Sequence, residues 1–96
     1  MIVTNTTPLI NLGRHGKIIL LRTIFNKVII PEAVYEEIMR LGQSLEALAV
    51  REAIKNGWMI IEKAAQDKLP EAGLLGYGEK EAIALALQHK CIFLTD

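Results

Sequence analysis

The sequence predicts an α/β fold: a central parallel sheet of about four strands with helices on both faces. Three observations carry the prediction. Short apolar or β-branched runs recur along the chain at Ile2-Val3, Val28–Ile30, Trp58–Ile61 and Cys91–Leu94. The segments between them carry apolar residues at helical spacing, so strand and helix alternate, as right-handed crossovers between parallel strands require. No internal repeat, charge block or Gly/Ser/Pro-rich linker divides the 96 residues, so the elements belong to one domain, 1–96.

Single Gly, Pro and Asn residues punctuate the elements. Strand Ile2-Val3 closes at Asn5-Thr6-Thr7-Pro8, where an Asn or Thr side chain can cap a short helix opening near Pro8. Gly13 and Gly16 are expected to break that helix. Lys17–Phe25 sets Leu20, Leu21, Ile24 and Phe25 at helical spacing, Asn26 stops it, and Val28–Ile30 follows as a strand. Pro31 starts the next helix, with Val34, Ile38 and Leu41 as its buried stripe and Gly42 as its end. Ser44 caps a further helix running to Asn56-Gly57, and Trp58–Ile61 is the third strand. A polar stretch through Pro70 and a turn over Gly73–Gly78 lead into the helix Glu79–His89 and then the strand Cys91–Leu94.

Composition narrows the classes of function. At 51% hydrophobic and 23% charged residues, with mean hydropathy +0.27, the chain is core-rich and far from disordered. Eleven basic and eleven acidic residues cancel, which excludes a protein that coats nucleic acid by charge alone. The cancellation is uneven: residues 1–30 carry Arg14, Lys17, Arg22 and Lys27 and no acid. The acids able to do chemistry therefore fall in the later part. The single cysteine, Cys91, permits no internal disulfide, and with no leader-like start or membrane-length apolar run, a cytoplasmic location is expected.

In parallel sheets, ligands bind beyond the carboxyl ends of the strands, where loops and helix N-termini converge. Asn5 follows the first strand there, Glu79 opens the helix after the third, and Asp96 follows the fourth. Glu36 and Glu37 lie on the helix after the second. At about 100° per residue, with Val34 at 0°, Ile38 falls at about 40° and Leu41 at about −20°. Glu37 lies beside this stripe at about −60°, whereas Glu36 points away and has Arg40 as an i,i+4 partner. The same count sets Glu79 among Ala82, Ile83 and Ala86, facing inward, with Glu81 turned outward as a first-turn carboxylate favoured by the helix dipole. Converging carboxylates repel unless a hard cation neutralises them, which suits magnesium or manganese. Such an ion can activate water for attack on a phosphodiester.

At these residues the chain resembles the PIN-domain family, and within it prokaryotic proteins close to VapC-type toxins. The pieces stand in family order: IVTNTTPLI at 2–10, VIIPEAVYEEI at 28–38, NGWMII at 56–61, GYGEKEAIALAL at 76–87 and CIFLTD at 91–96. The resemblance implies a three-layer α/β/α fold and a Mg²⁺- or Mn²⁺-dependent ribonuclease acting on RNA. By motif it implies Asn5, Glu37, Glu79 and Asp96 as the metal-binding and catalytic set, with the Thr6 or Thr7 hydroxyl positioning substrate. Asn5 stands where the family usually has Asp, which removes a unit of negative charge. The family's next acid, fifth strand and closing helix lie beyond Asp96, so the domain is expected to be incomplete at its C-terminus. Cys91–Leu94 is then an edge strand open to pairing.

A homodimer and an antitoxin-like partner are the associations the resemblance implies. Its alternative reading is a catalytically weak module that acts through them. A receiver-like domain would want a pair of acids after strand one and an acceptor Asp after strand three, and the sequence has neither. His15, His89, Cys91, Trp58 and Tyr77 are read as structural or loop residues, and the four early cations as a solvated face.

Overall fold

The computed structural model describes residues 1–65, 69 and 76–95. Among these residues four strands, β1 (Ile2–Thr4), β2 (Val28–Pro31), β3 (Met59–Glu62) and β4 (Ile92–Leu94), form one sheet. Five helices accompany them among the described residues: α1 (Thr6–Arg14), α2 (Ile19–Phe25), α3 (Glu32–Met39), α4 (Leu45–Lys55) and α5 (Tyr77–His89). All strand pairs are parallel, in the order β3-β2-β1-β4. The α/β class with a four-stranded parallel sheet is therefore the observed one.

Alternation along each strand divides the interior into two cores. Ile2, Val28, Ile30 and Met59 face one side, where Leu9, Leu21, Val34, Ile38 and Val50 of α1–α4, with Trp58 just before β3, cover them. Val3, Ile29 and Phe93 face the other, where Ala82, Leu85 and Ala86 of α5 lie with Ala64. The result is three layers, helix–sheet–helix. Among the described residues no helix is long and apolar enough to cross a membrane.

Several boundaries differ from the sequence expectation, each for a physical reason. Gly13 does not break α1; it is buried within it, and a Cβ there would stand 2.5 Å from Cβ of Glu46. The glycine lets α1 and α4 approach closely, and Gly16, at φ +66°, makes the stop. Helix α2 begins at Ile19 rather than Lys17, and of its apolar residues Leu21 points inward while Leu20 and Ile24 are exposed. Helix α3 ends at Met39, so Leu41 lies past it and is exposed. Ser44 caps α4 as expected, accepting from the Ala47 N–H at 3.2 Å.

Chain order and strand order diverge at β1. The chain steps outward from β1 to β2 to β3, then returns to the other side of β1 with β4. The carboxyl ends of β1 and β4 therefore bound a crevice at the topological switch point, the place where open α/β sheets bind ligands.

Candidate active site at the carboxyl edge of the sheet

The crevice is built from the end of β1. Asn5 is extended (φ −88°, ψ 179°), and its backbone N–H donates to the Leu94 carbonyl at 3.1 Å, tying β1 to β4. It occupies the N-cap of α1, two residues earlier than a helix opening at Pro8 would have it, yet its side chain makes no capping bond. A capping oxygen uses the N–H of the second or third helical residue. The third is Pro8, which has none, so the Thr7 N–H is the one such donor left, and the Asn5 side chain does not take it.

One residue on, the Thr6 hydroxyl donates to Oε2 of Glu37 at 3.2 Å, across 31 positions of sequence. Glu37 lies in the second turn of α3. Its other oxygen lies against Gly78, where a Cβ would stand 3.1 Å from Glu37 Oε1 and 3.3 Å from Val34 Cγ2. Glycine at that position leaves room for the carboxylate between the two helices. Glu79 follows directly, half-buried in the first turn of α5. Glu37 consequently sits between the N-terminal turns of α1 and α5, whose partial positive ends favour a carboxylate.

Of the residues chosen from sequence, the fold brings together Thr6 and Glu37, with Asn5 beside the first and Gly78-Glu79 beside the second. Among the described residues, neither the Thr7 hydroxyl nor the Glu79 carboxylate has a hydrogen-bond or ion-pair partner. Asp96 lies outside the described residues. No three Asp, Glu, His or Cys side chains among the described residues gather as a metal-holding group. The set named from sequence takes its other two members from an amide, Asn5, and from Asp96.

The helical count along α5 requires correction. It turned Glu79 inward and Glu81 outward, yet Glu81 is fully buried while Glu79 is half-buried. Glu81 accepts from the Ala33 N–H at 3.0 Å and from the Ala64 N–H at 3.1 Å. Helix α5 packs on the sheet with one face and on α3 with another, so a single-stripe reading of it fails. Gly78 and Glu81 are the residues sequence reasoning missed. Their i,i+3 spacing, with a side-chain-free residue at one position, was the available signal.

The histidines are accounted for locally, as expected. Nδ1 of His15 lies 2.8 Å from the Asn11 carbonyl, and Nε2 of His89 lies 2.6 Å from Oε2 of Glu62. The early cations are exposed, and two of them belong to the opposite edge. Arg14 ends α1, about 12 Å along the helix from Thr6, and reaches Glu46 at 3.4 Å. Lys27 precedes β2, its carbonyl accepting from the Ile2 N–H at 3.2 Å.

The oxygen groups that the fold brings into contact are the Glu37 carboxylate and the Thr6 hydroxyl, with Asn5 next to Thr6 and Glu79 next to Gly78 in the chain. An all-oxygen set of this kind fits a hard divalent cation better than a thiophilic one. A family model described as a PIN domain, DUF3368, matches residues 1–96. No curated protein and no solved structure matches the chain.

Proposed function

The chain belongs to the PIN-domain family, a family of nucleases that typically use divalent metal ions, and from that premise we propose that it is a VapC-like, metal-dependent ribonuclease hydrolysing RNA phosphodiester bonds. The observation that supports this reading most is the meeting of α1, α3 and α5 at one carboxylate. Thr6 donates to Glu37, Gly78 lies against it, and Glu79 is the next residue. In this reading Asn5, Glu37, Glu79 and Asp96 hold Mg²⁺ or Mn²⁺. Bound there, the ion supplies activation of water and neutralisation of the charge that develops on phosphate.

The remaining work falls to the chain. Thr6 restricts the rotamer of Glu37, so one ligand is oriented before substrate arrives. The N-terminal turns of α1 and α5 present backbone N–H groups and positive dipole ends, which suit a phosphate oxygen, and Thr7 offers a hydroxyl for it. No side-chain nucleophile is required. Asn5 in place of an acid weakens the pull on the cation, so a requirement for high Mn²⁺ concentration is expected.

Cleavage of RNA by the purified chain, followed against Mn²⁺, tests the reading. Glu79→Ala should lower the rate by about a hundredfold or more, several kcal/mol of transition-state stabilisation being at stake. Absence of cleavage at every Mn²⁺ concentration, with the same trace for Glu79→Ala, rejects it. Asn5 favours a second reading, a catalytically weak module acting through a homodimer or an antitoxin-like partner. A melting temperature that does not rise with Mn²⁺ would select that one, because a ligand bound only by the native state must stabilise it.

A further inference from the structure

Glu81 is a carboxylate that the proposed chemistry does not use, and it is 0% exposed. A charge so placed is tolerated only when both oxygens find donors. They do: Oε1 takes the Ala33 N–H at 3.0 Å and Oε2 the Ala64 N–H at 3.1 Å. Ala33 stands in the first turn of α3, where helical N–H groups have no partner within the helix. Ala64 lies just beyond β3. A single side chain from α5 thus binds both the start of α3 and the chain leaving the sheet.

The position of this clamp relative to the crevice gives it meaning. Ala33 and Glu37 are i,i+4 on α3, and Gly78 and Glu81 are i,i+3 on α5, so each pair shares a helix face. The Glu81–Ala33 bond and the Glu37–Gly78 approach are therefore adjacent rungs between the same two helices. Gly78 also meets Val34 and Ala33, at 3.3 Å and 4.0 Å from its Cβ position. We infer that Glu81 is a positioning residue for the candidate site: by holding α3 against α5 it sets where Glu37 and Glu79 stand relative to each other. A leucine of similar volume would fill the space but leave the Ala33 and Ala64 N–H groups without this partner and the helix separation unspecified.

The effect on ion binding rests on the nuclease reading, whereas the effect on helix separation does not, and the test reads the two apart. ¹⁵N-labelled full chain and Glu81→Gln are compared by NMR, first without metal and then against Mn²⁺. Glutamine keeps the volume but turns an NH₂ toward one of the two backbone donors. In a folded Glu81→Gln chain the inference expects a large upfield shift of the Ala33 or Ala64 amide. It also expects weakened nuclear Overhauser contacts between Gly78 and the Ala33 and Val34 methyl groups. Paramagnetic broadening at Glu37 and Glu79 should then need about tenfold more Mn²⁺ than in the unmodified chain.

Unchanged contacts from Gly78 overturn the inference, as does unchanged Mn²⁺ dependence where the unmodified chain responds to the ion. If the unmodified chain shows no Mn²⁺ broadening at all, the metal reading falls by itself. The Gly78 contacts still decide for or against the clamp. Should Glu81→Gln fail to fold, Glu81→Asp keeps the charge, shortens the reach and carries the same comparison.

Discussion

The two faces of the sheet are built on different terms. Under α1–α4, large branched side chains interlock: Leu9, Ile30, Val34 and Ile38 are each inaccessible to solvent. Burial of each such side chain contributes about 1.5–3 kcal/mol. Under α5 the covering residues are mostly small, Ala82, Ala84 and Ala86 with Leu85, and a buried carboxylate accompanies them. Small residues yield less from burial but let a helix come close enough for polar groups to meet backbone donors. The first face stabilises by filled volume. The second stabilises by distance, and it carries Glu79 together with the clamp beside Glu37.

Substitutions can break or sharpen this contrast. Leu9→Ala should have the largest effect, lowering stability by about 2–5 kcal/mol through lost transfer energy and a cavity on the volume-filled face. Urea unfolding measures it, and a loss under about 1 kcal/mol would mean that face is not close-packed. Gly13→Ala comes next. The new Cβ meets the Cβ of Glu46 at 2.5 Å and its Cα at 2.6 Å, so α1 and α4 must separate, at about 1–3 kcal/mol. A neutral result would show that distance matters less there than the geometry implies.

Gly78→Ala should change stability least. Alanine gains about 0.5–1 kcal/mol over glycine within a helix, and crowding against Glu37 at 3.1 Å offsets it. Its expected signature is functional: altered Mn²⁺ dependence of RNA cleavage in a chain whose urea midpoint barely moves. A shift in the midpoint with unaltered cleavage would reverse the assignment of this glycine to the site.

The elements legible in the sequence were those whose signal is local. The β-branched run Val28–Ile30 is a strand, and Ser44 does cap the helix that follows it. Glu37 does lie beside the buried stripe of Val34 and Ile38, yet it is itself exposed and meets Thr6 at the surface. Glu81 was misread because an angular count assumes one interior direction per helix, and α5 has two. The satisfaction of a carboxylate by two distant N–H groups leaves no periodic trace. Gly13 was misread for a related reason: a glycine that ends a helix and one that admits a neighbouring helix look alike until the neighbour is in place. Leu20 and Ile24 fit a helical spacing, but spacing alone does not say which side of α2 meets the sheet.

Pro8 has a consequence out of proportion to its chemistry. Its side chain holds no polar atom, yet by lacking a backbone proton it removes one of the two donors a capping Asn5 could use, three positions away in the chain. A genetic screen would meet it as an apolar residue whose replacement by alanine alters a polar neighbourhood. The helix would regain its second capping donor, and the asparagine would have a further main-chain partner within reach.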